Sequence, residues 1–254
     1  MLEISELSKR FGGLTAVNKV STMIEPGRIN AIIGPNGAGK TTFFNLISGA
    51  FRPSSGRIKF KGTDVTNWRR DQVARLGISR TFQATHLFDQ ATVLDNLIIG
   101  HRLRTQSGLM DVLLGSRRLK AEERKCRDKA HEALDFVGLS PMADRIASDI
   151  SQEERKRLAF ALALSTDPSL VLLDEPAGGV NPEETQGLAD LIRKMVKSGL
   201  TVCLIEHKMN MIMNLADKIM VLNYGEKIAE GTPAEIRTNP SVIEAYLGSE
   251  HAAG

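Results

Sequence analysis

Eight consecutive residues, Gly34-Pro35-Asn36-Gly37-Ala38-Gly39-Lys40-Thr41, set glycines ahead of a lysine and a hydroxyl. Glycines let backbone N–H groups curl around an anion, and a helix starting there points its positive end at the same place. Lys40 adds a point charge, the Thr41 hydroxyl suits Mg²⁺, and Thr42 follows at the same helix start. This is phosphate chemistry, and the ligand it predicts is Mg·ATP.

A phosphate loop alone does not choose among kinases, GTPases and motor ATPases. A second element narrows the field: the apolar run Leu170–Leu173 ends in Asp174-Glu175-Pro176. Two carboxylates then leave the C-terminal edge of a buried strand, where α/β folds bind ligands. Asp174 is placed to hold Mg²⁺ through water and Glu175 to polarise an attacking water. His207 follows another apolar run, 201–206, and is expected at the same edge within reach of a γ-phosphate.

Elements must bring these residues together. Short strands are predicted over 2–8, 17–24, 29–33 and 57–61, broken by Glu25-Pro26-Gly27 and Pro53-Ser54-Ser55-Gly56. A helix over 41–49 directly after the apolar strand gives the strand–loop–helix context that a phosphate loop requires. From about Leu94 to Asp149 the apolar spacing is helical, which reads as a helical subdomain inserted into an α/β core. Strands at 170–173 and 201–206 around a helix at 182–197 make a βαβ unit, hence a parallel sheet. Residues 219–223 and 227–229 form a predicted hairpin about Tyr224-Gly225.

Bulk properties exclude several classes. No apolar run approaches the roughly eighteen residues of a bilayer span. The acids at Glu3 and Glu6 do not fit a signal peptide, so the chain is expected inside the cell. Cys126 and Cys203 lack metal-ligand spacing and are expected as free thiols. A net charge of +3 is too small to imply nucleic acid. The local basic run Arg117, Arg118, Lys120, Arg124, Lys125, Arg127 and Lys129 is interleaved with Glu122, Glu123 and Asp128, as on a solvated helix face or on one that meets a membrane surface or a partner.

The order Phe11, phosphate loop, Gln83, helical insertion, Ile150–Leu158, Asp174-Glu175, Gly178-Gly179-Val180-Asn181 and His207 resembles the nucleotide-binding subunit of ABC transporters over nearly the whole chain. Arg10–Val17, Glu175–Pro182, Leu204–His207 and Asn239–Gly248 resemble the branched-chain amino acid importer group. The resemblance implies an α/β fold: a P-loop NTPase core with a parallel sheet, an N-terminal antiparallel β subdomain and an inserted helical subdomain. The core would be residues 1–93 and 150–254, and the helical subdomain 94–149. It implies an ATPase that powers import of branched-chain or related amino acids, with Glu175, His207 and Gln83 catalytic. Thr41, Gln83 and Asp174 would serve Mg²⁺. Phe11 would stack on adenine with Val17 beside the base. Ser151 and Asn181 would act across a homodimer or a heterodimer with a related ATP-binding subunit. Integral membrane permease subunits would dock near Gln83 to Gly100, placing the chain in the cytoplasm on the inner face of the membrane.

One segment departs from the family. Its signature is usually Leu-Ser-Gly-Gly-Gln, and here Ile150-Ser151-Gln152-Glu153-Glu154 stands instead. Both glycines are lost, and Glu153 brings negative charge toward a tetra-anionic nucleotide, where charges 4 Å apart interact by roughly 4 kcal/mol at an effective dielectric near 20. Three readings stay open: a helix start built as a capping box, Ser151-x-x-Glu154, with no further role; a rearranged loop; or a weakened site. The last would make the chain a nucleotide-gated regulatory module with slow hydrolysis.

Overall fold

The computed structural model describes residues 1–81, 87–102 and 117–251. They group into two compact units, Met1–Arg80 with Ser169–Gly254, and Thr81–Pro168.

The first unit holds two sheets. Strands β1 (Leu2–Phe11), β2 (Leu14–Ile24), β4 (Ser55–Phe60) and β5 (Thr63–Asp64) form one, in the order β2-β1-β4-β5, all pairs antiparallel. The other contains β3 (Ile29–Ile33), β6 (Ile78–Arg80), β7 (Leu170–Asp174), β8 (Thr201–Ile205), β9 (Lys218–Asn223) and β10 (Glu226–Gly231), ordered β10-β9-β3-β8-β7-β6. The pairs from β9 to β6 are parallel, and β10 returns antiparallel to β9. Every residue of β3, β7 and β8 is buried, which is why they read as unbroken apolar runs rather than alternating ones. Each buried Leu, Ile or Val side chain contributes roughly 1.5–3 kcal/mol.

Helices of this unit are α1 (Lys40–Ile47), α2 (Arg70–Leu76), α6 (Pro182–Lys197), α7 (Met209–Leu215), α8 (Pro233–Thr238) and α9 (Pro240–His251). The α6 helix begins at an Asn181 cap with Pro182 in its first turn and buries Leu188, Ala189, Leu191, Ile192 and Met195 along one face. Between β9 and β10 the two turn residues, Tyr224 (φ 46°) and Gly225 (φ 81°), both take positive φ, as a type I′ hairpin turn needs.

The second unit packs α3 (Val93–Arg102), α4 (Arg117–Val137) and α5 (Gln152–Leu164) on one another. Cys126, Ala130, Ala133, Leu134 and Val137 share the buried face of α4, while Arg124, Lys125, Arg127 and Asp128 are exposed. This unit takes in more chain than the 94–149 expected for a helical subdomain, because α5 packs with α3 and α4. Among the described residues no helix is long and apolar enough to cross a membrane. Cys126 and Cys203 are both buried and neither is in a disulfide, and burial pushes the Cys203 thiol above its ordinary range.

Candidate functional site

The phosphate loop leaves the C-terminal end of β3, Asp174 ends β7 and His207 lies two residues past β8, so parallel neighbours deliver all three to one sheet edge. There a cavity of about 530 Å³ is lined by Leu14, Thr15, Ala16, the loop from Asn36 to Thr42, Glu175, His207, Tyr224 and Gly225. Sequence reasoning had picked out most of this lining.

Two glycines are obligatory for the loop's shape. A Cβ at Gly34 would lie 2.0 Å from the Leu222 carbonyl oxygen, and one at Gly39 (φ 95°) 2.3 Å from that of Ala16. Backbone meets backbone at both points, so nothing can yield. Around them the hairpin turn braces the loop: the Gly225 N–H donates to Ala38 O at 3.1 Å and the Asn18 N–H to Gly225 O at 2.8 Å.

Lys40 is nearly buried, and its Nζ donates to the carbonyls of Gly34 (2.7 Å) and Pro35 (2.8 Å). Burial draws its ammonium below the ordinary lysine range, while the charges of Glu175 and Asp174 pull it back up. Glu175 sits at φ 49°, a conformation costing of order 1 kcal/mol, held by its N–H to Ile205 O (2.9 Å) and by Gly178 N–H to its carbonyl (3.1 Å). Its Oε1 is 3.0 Å from His207 Nε2. In the neutral tautomer with the proton on Nε2, the ring donates to the carboxylate and orients it.

The donor set fits a phosphate-bound Mg²⁺. Among the described residues no cluster of three His, Cys, Asp or Glu could hold a metal alone. Mg²⁺ is usually held by one or two protein oxygens plus phosphates, and Asp174 and the Thr41 hydroxyl are donors of that kind.

Other expected residues fall elsewhere. Phe11 is 43% exposed at the end of β1, edge-on to Phe51 with centroids 5.5 Å apart and with Lys9 Nζ over its ring, 5.0 Å from the centroid. Val17 is fully buried in the core, so it does not present itself beside a base; Leu14, Thr15 and Ala16 line the cavity in its stead. Asn181 caps α6, accepting from the Glu184 N–H at 2.8 Å. Gln83 lies outside the described residues, as do the other residues of 82–86 in the expected docking surface.

In the second unit, Ser151 caps α5 in a complete capping box: the Glu154 N–H donates to Ser151 Oγ at 3.2 Å, and the Ser151 N–H to Glu154 Oε2 at 2.6 Å. Glu153 pairs with Arg157, whose Nη1 also donates to Val137 O at 3.0 Å. The repulsion suggested by a bare Glu153 is therefore offset one turn along its own helix.

Three residues escaped the sequence reading. Glu206, 3% exposed, accepts from the Ala177 N–H (3.0 Å), the His207 N–H (2.9 Å) and the Lys208 N–H (3.2 Å), tying the segment after Glu175 to the one carrying His207. An acid ending an apolar strand, the signal that singled out Asp174, was there to find it. Tyr246 on α9 accepts from the Gly34 N–H through its phenol oxygen, and burial pushes that phenol up to about 12. Arg80 is bonded to Asp174 at 2.8 Å. Neither Arg80 nor Tyr246 stands out by spacing.

Comparison with known proteins agrees with this geometry. The family described as "ABC transporter" matches residues 17–178, and "Branched-chain amino acid ATP-binding cassette transporter" matches 226–252. The chain is 40% identical to the high-affinity branched-chain amino acid transport ATP-binding protein LivG of Escherichia coli (strain K12), over 98% of each. The ADP conformation of an ATP-binding cassette of an ABC transporter superposes with a TM-score of 0.86 at 32% identity, covering 98% of both chains. A dimeric post-hydrolysis cassette bound to ADP and Pi shares the fold at 23% identity and a TM-score of 0.76, over 92% of this chain and 99% of that one.

Proposed function

The chain belongs to the ABC transporter family of ATP-binding cassettes, which are ATPases, and from that premise we propose that it hydrolyses Mg·ATP in the phosphate-loop cavity to energise uptake of branched-chain or related amino acids. The observation that carries the reading is the Glu175–His207 pair, 3.0 Å apart, on the rim of the cavity that Lys40 enters.

Each residue's part follows from its surroundings. Lys40 is held by two carbonyls that cannot neutralise it, so phosphate oxygens are better partners for its charge. Glu175, fixed by His207 and by its own backbone bonds, takes the proton of the water that attacks the γ-phosphorus; ADP and phosphate leave. Thr41 and Asp174 would hold Mg²⁺, which would supply positive charge against the phosphates. Glu206 keeps Glu175 and His207 in register. Phe11, exposed at the end of β1, stacks on adenine.

Asn181 and Ser151 face a second cassette, identical or related, and Gln83 with the segment to Gly100 receives permease subunits. The chain then sits in the cytoplasm against the inner face of the membrane. Phosphate release by the complex isolated with its membrane subunits tests the reading. Glu175→Gln should lower turnover by roughly 10²-fold or more with ATP still bound, and labelled leucine uptake should fall with it. Equal turnover in the two proteins, or no membrane protein co-purifying, would count against it.

A further inference from the structure

We propose that Arg80 is a positioning residue that locks Asp174 to the phosphate-loop helix α1, so that the metal-holding carboxylate and the start of α1 keep one spacing. The inference rests on the reading of Asp174 above.

Arg80 ends β6, whose partner β7 carries Asp174 at its tip. Its side chain is 7% exposed and that of Asp174 2%, with Nη2 2.8 Å from Asp174 Oδ2. From the other nitrogen, Nη1 donates to Asn45 Oδ1 at 2.7 Å and Ser48 Oγ at 3.2 Å, and Cζ stands 5.7 Å from the Phe44 ring centroid. Phe44 and Asn45 belong to α1 and Ser48 is its C-terminal cap. One planar guanidinium therefore joins the far end of the helix that begins at Lys40 to the carboxylate across from it. A lysine can supply the charge but not this rigid fork.

Position is what the fork adds. Lys40 feels the charge of Asp174. Without the guanidinium, the buried carboxylate loses the fork that fixes its direction and is drawn toward that ammonium, away from the place where it meets metal. Loosening the grip on α1 alone has a similar, smaller effect, since the carboxylate and the helix can then drift apart.

The test is the Mg²⁺ concentration that half-saturates binding of a fluorescent ADP to the full chain, read beside Mg²⁺-free ADP affinity. Arg80→Met should raise the Mg²⁺ half-saturation about tenfold, with Mg²⁺-free affinity kept within about twofold. Arg80→Lys should fall between it and the parent. Asn45→Ala with Ser48→Ala, which keeps the ion pair and the Phe44 contact but removes both hydrogen bonds to α1 and its cap, should raise the value about threefold. These two milder variants decide the matter if Arg80→Met does not fold. Unchanged or lower Mg²⁺ half-saturation in both folded milder variants, whatever their melting temperatures, overturns the proposal. Asp174→Asn serves as the reference: it should abolish the Mg²⁺ enhancement. If it does not, the reading of Asp174 itself fails, and the Arg80 proposal falls with it for a distinguishable reason.

Discussion

Replacing Glu206 by glutamine changes one buried atom and should disturb two loops. Its carboxylate accepts three backbone N–H groups, one at Oε2 from Ala177 and two at Oε1 from His207 and Lys208. A glutamine has a single acceptor oxygen, so its NH₂ must face at least one of these donors. Kept on the His207 side, the amide loses the Ala177 bond, worth about 1.5–3 kcal/mol for a charged acceptor, and weakens the other two by about 1 kcal/mol each. Not burying a charge returns part of this, leaving a net loss of about 2–3 kcal/mol. For a chain of this size that lowers the melting temperature by about 4–12 °C. The loosened Ala177 segment begins two residues after Glu175, so the Glu175–His207 contact slackens and turnover should drop about tenfold. Binding of ATP, governed by Lys40 and the loop glycines, should stay within about twofold. Melting followed by scanning fluorimetry and turnover followed by phosphate release measure the two effects. A Glu206→Gln protein melting within about 1 °C of the parent at undiminished turnover would refute the tie between the two loops.

Two further predictions concern the loop and the C-terminal helix. Gly39→Ala forces a Cβ to 2.3 Å from the Ala16 carbonyl at φ 95°, so the loop must reshape and ATP affinity, measured by calorimetry, should fall at least about tenfold. The chain has two tyrosines, so Tyr224→Phe leaves Tyr246 alone; its phenolate absorbance should rise at about pH 12, not near 10. Since folding raises this acid, the contribution of α9 docking is full below pH 10 and is lost as the pH climbs through about 12. A step near pH 10 in the folded chain would mean that Tyr246 is not buried against the loop.

Much of the site was legible because its signals are local. The phosphate loop sits between an apolar strand and a helix, and Asp174-Glu175 close an apolar strand, so a few consecutive residues carry both chemistry and position. The residues missed are those whose meaning lies in distant partners. Arg80 bonds to residues 35 and 94 positions away, and Tyr246 reaches from the C-terminal helix back to Gly34. β6 is three residues long, too short for any periodicity. Val17 was assigned to the base by resemblance, but it is buried in the core. At the helical unit, α5 buries the consecutive residues Leu158 to Ala161 with Ala163, so no single stripe announced which neighbours it would pack on. The departure at Ser151–Glu154 was legible as a capping box, and the Arg157 partner of Glu153, four residues on along the same helix, was there to be read as well.

The central claim is that nucleotide phosphates bind where Lys40 now meets the carbonyls of Gly34 and Pro35. Equilibrium binding of Mg·ATP by the purified chain, set beside Lys40→Ala, tests it most directly. Loss of a charged donor to phosphate should weaken affinity about 10²-fold while Glu175→Gln binds at least as tightly as the parent. Undiminished ATP affinity in a folded Lys40→Ala chain would contradict the account.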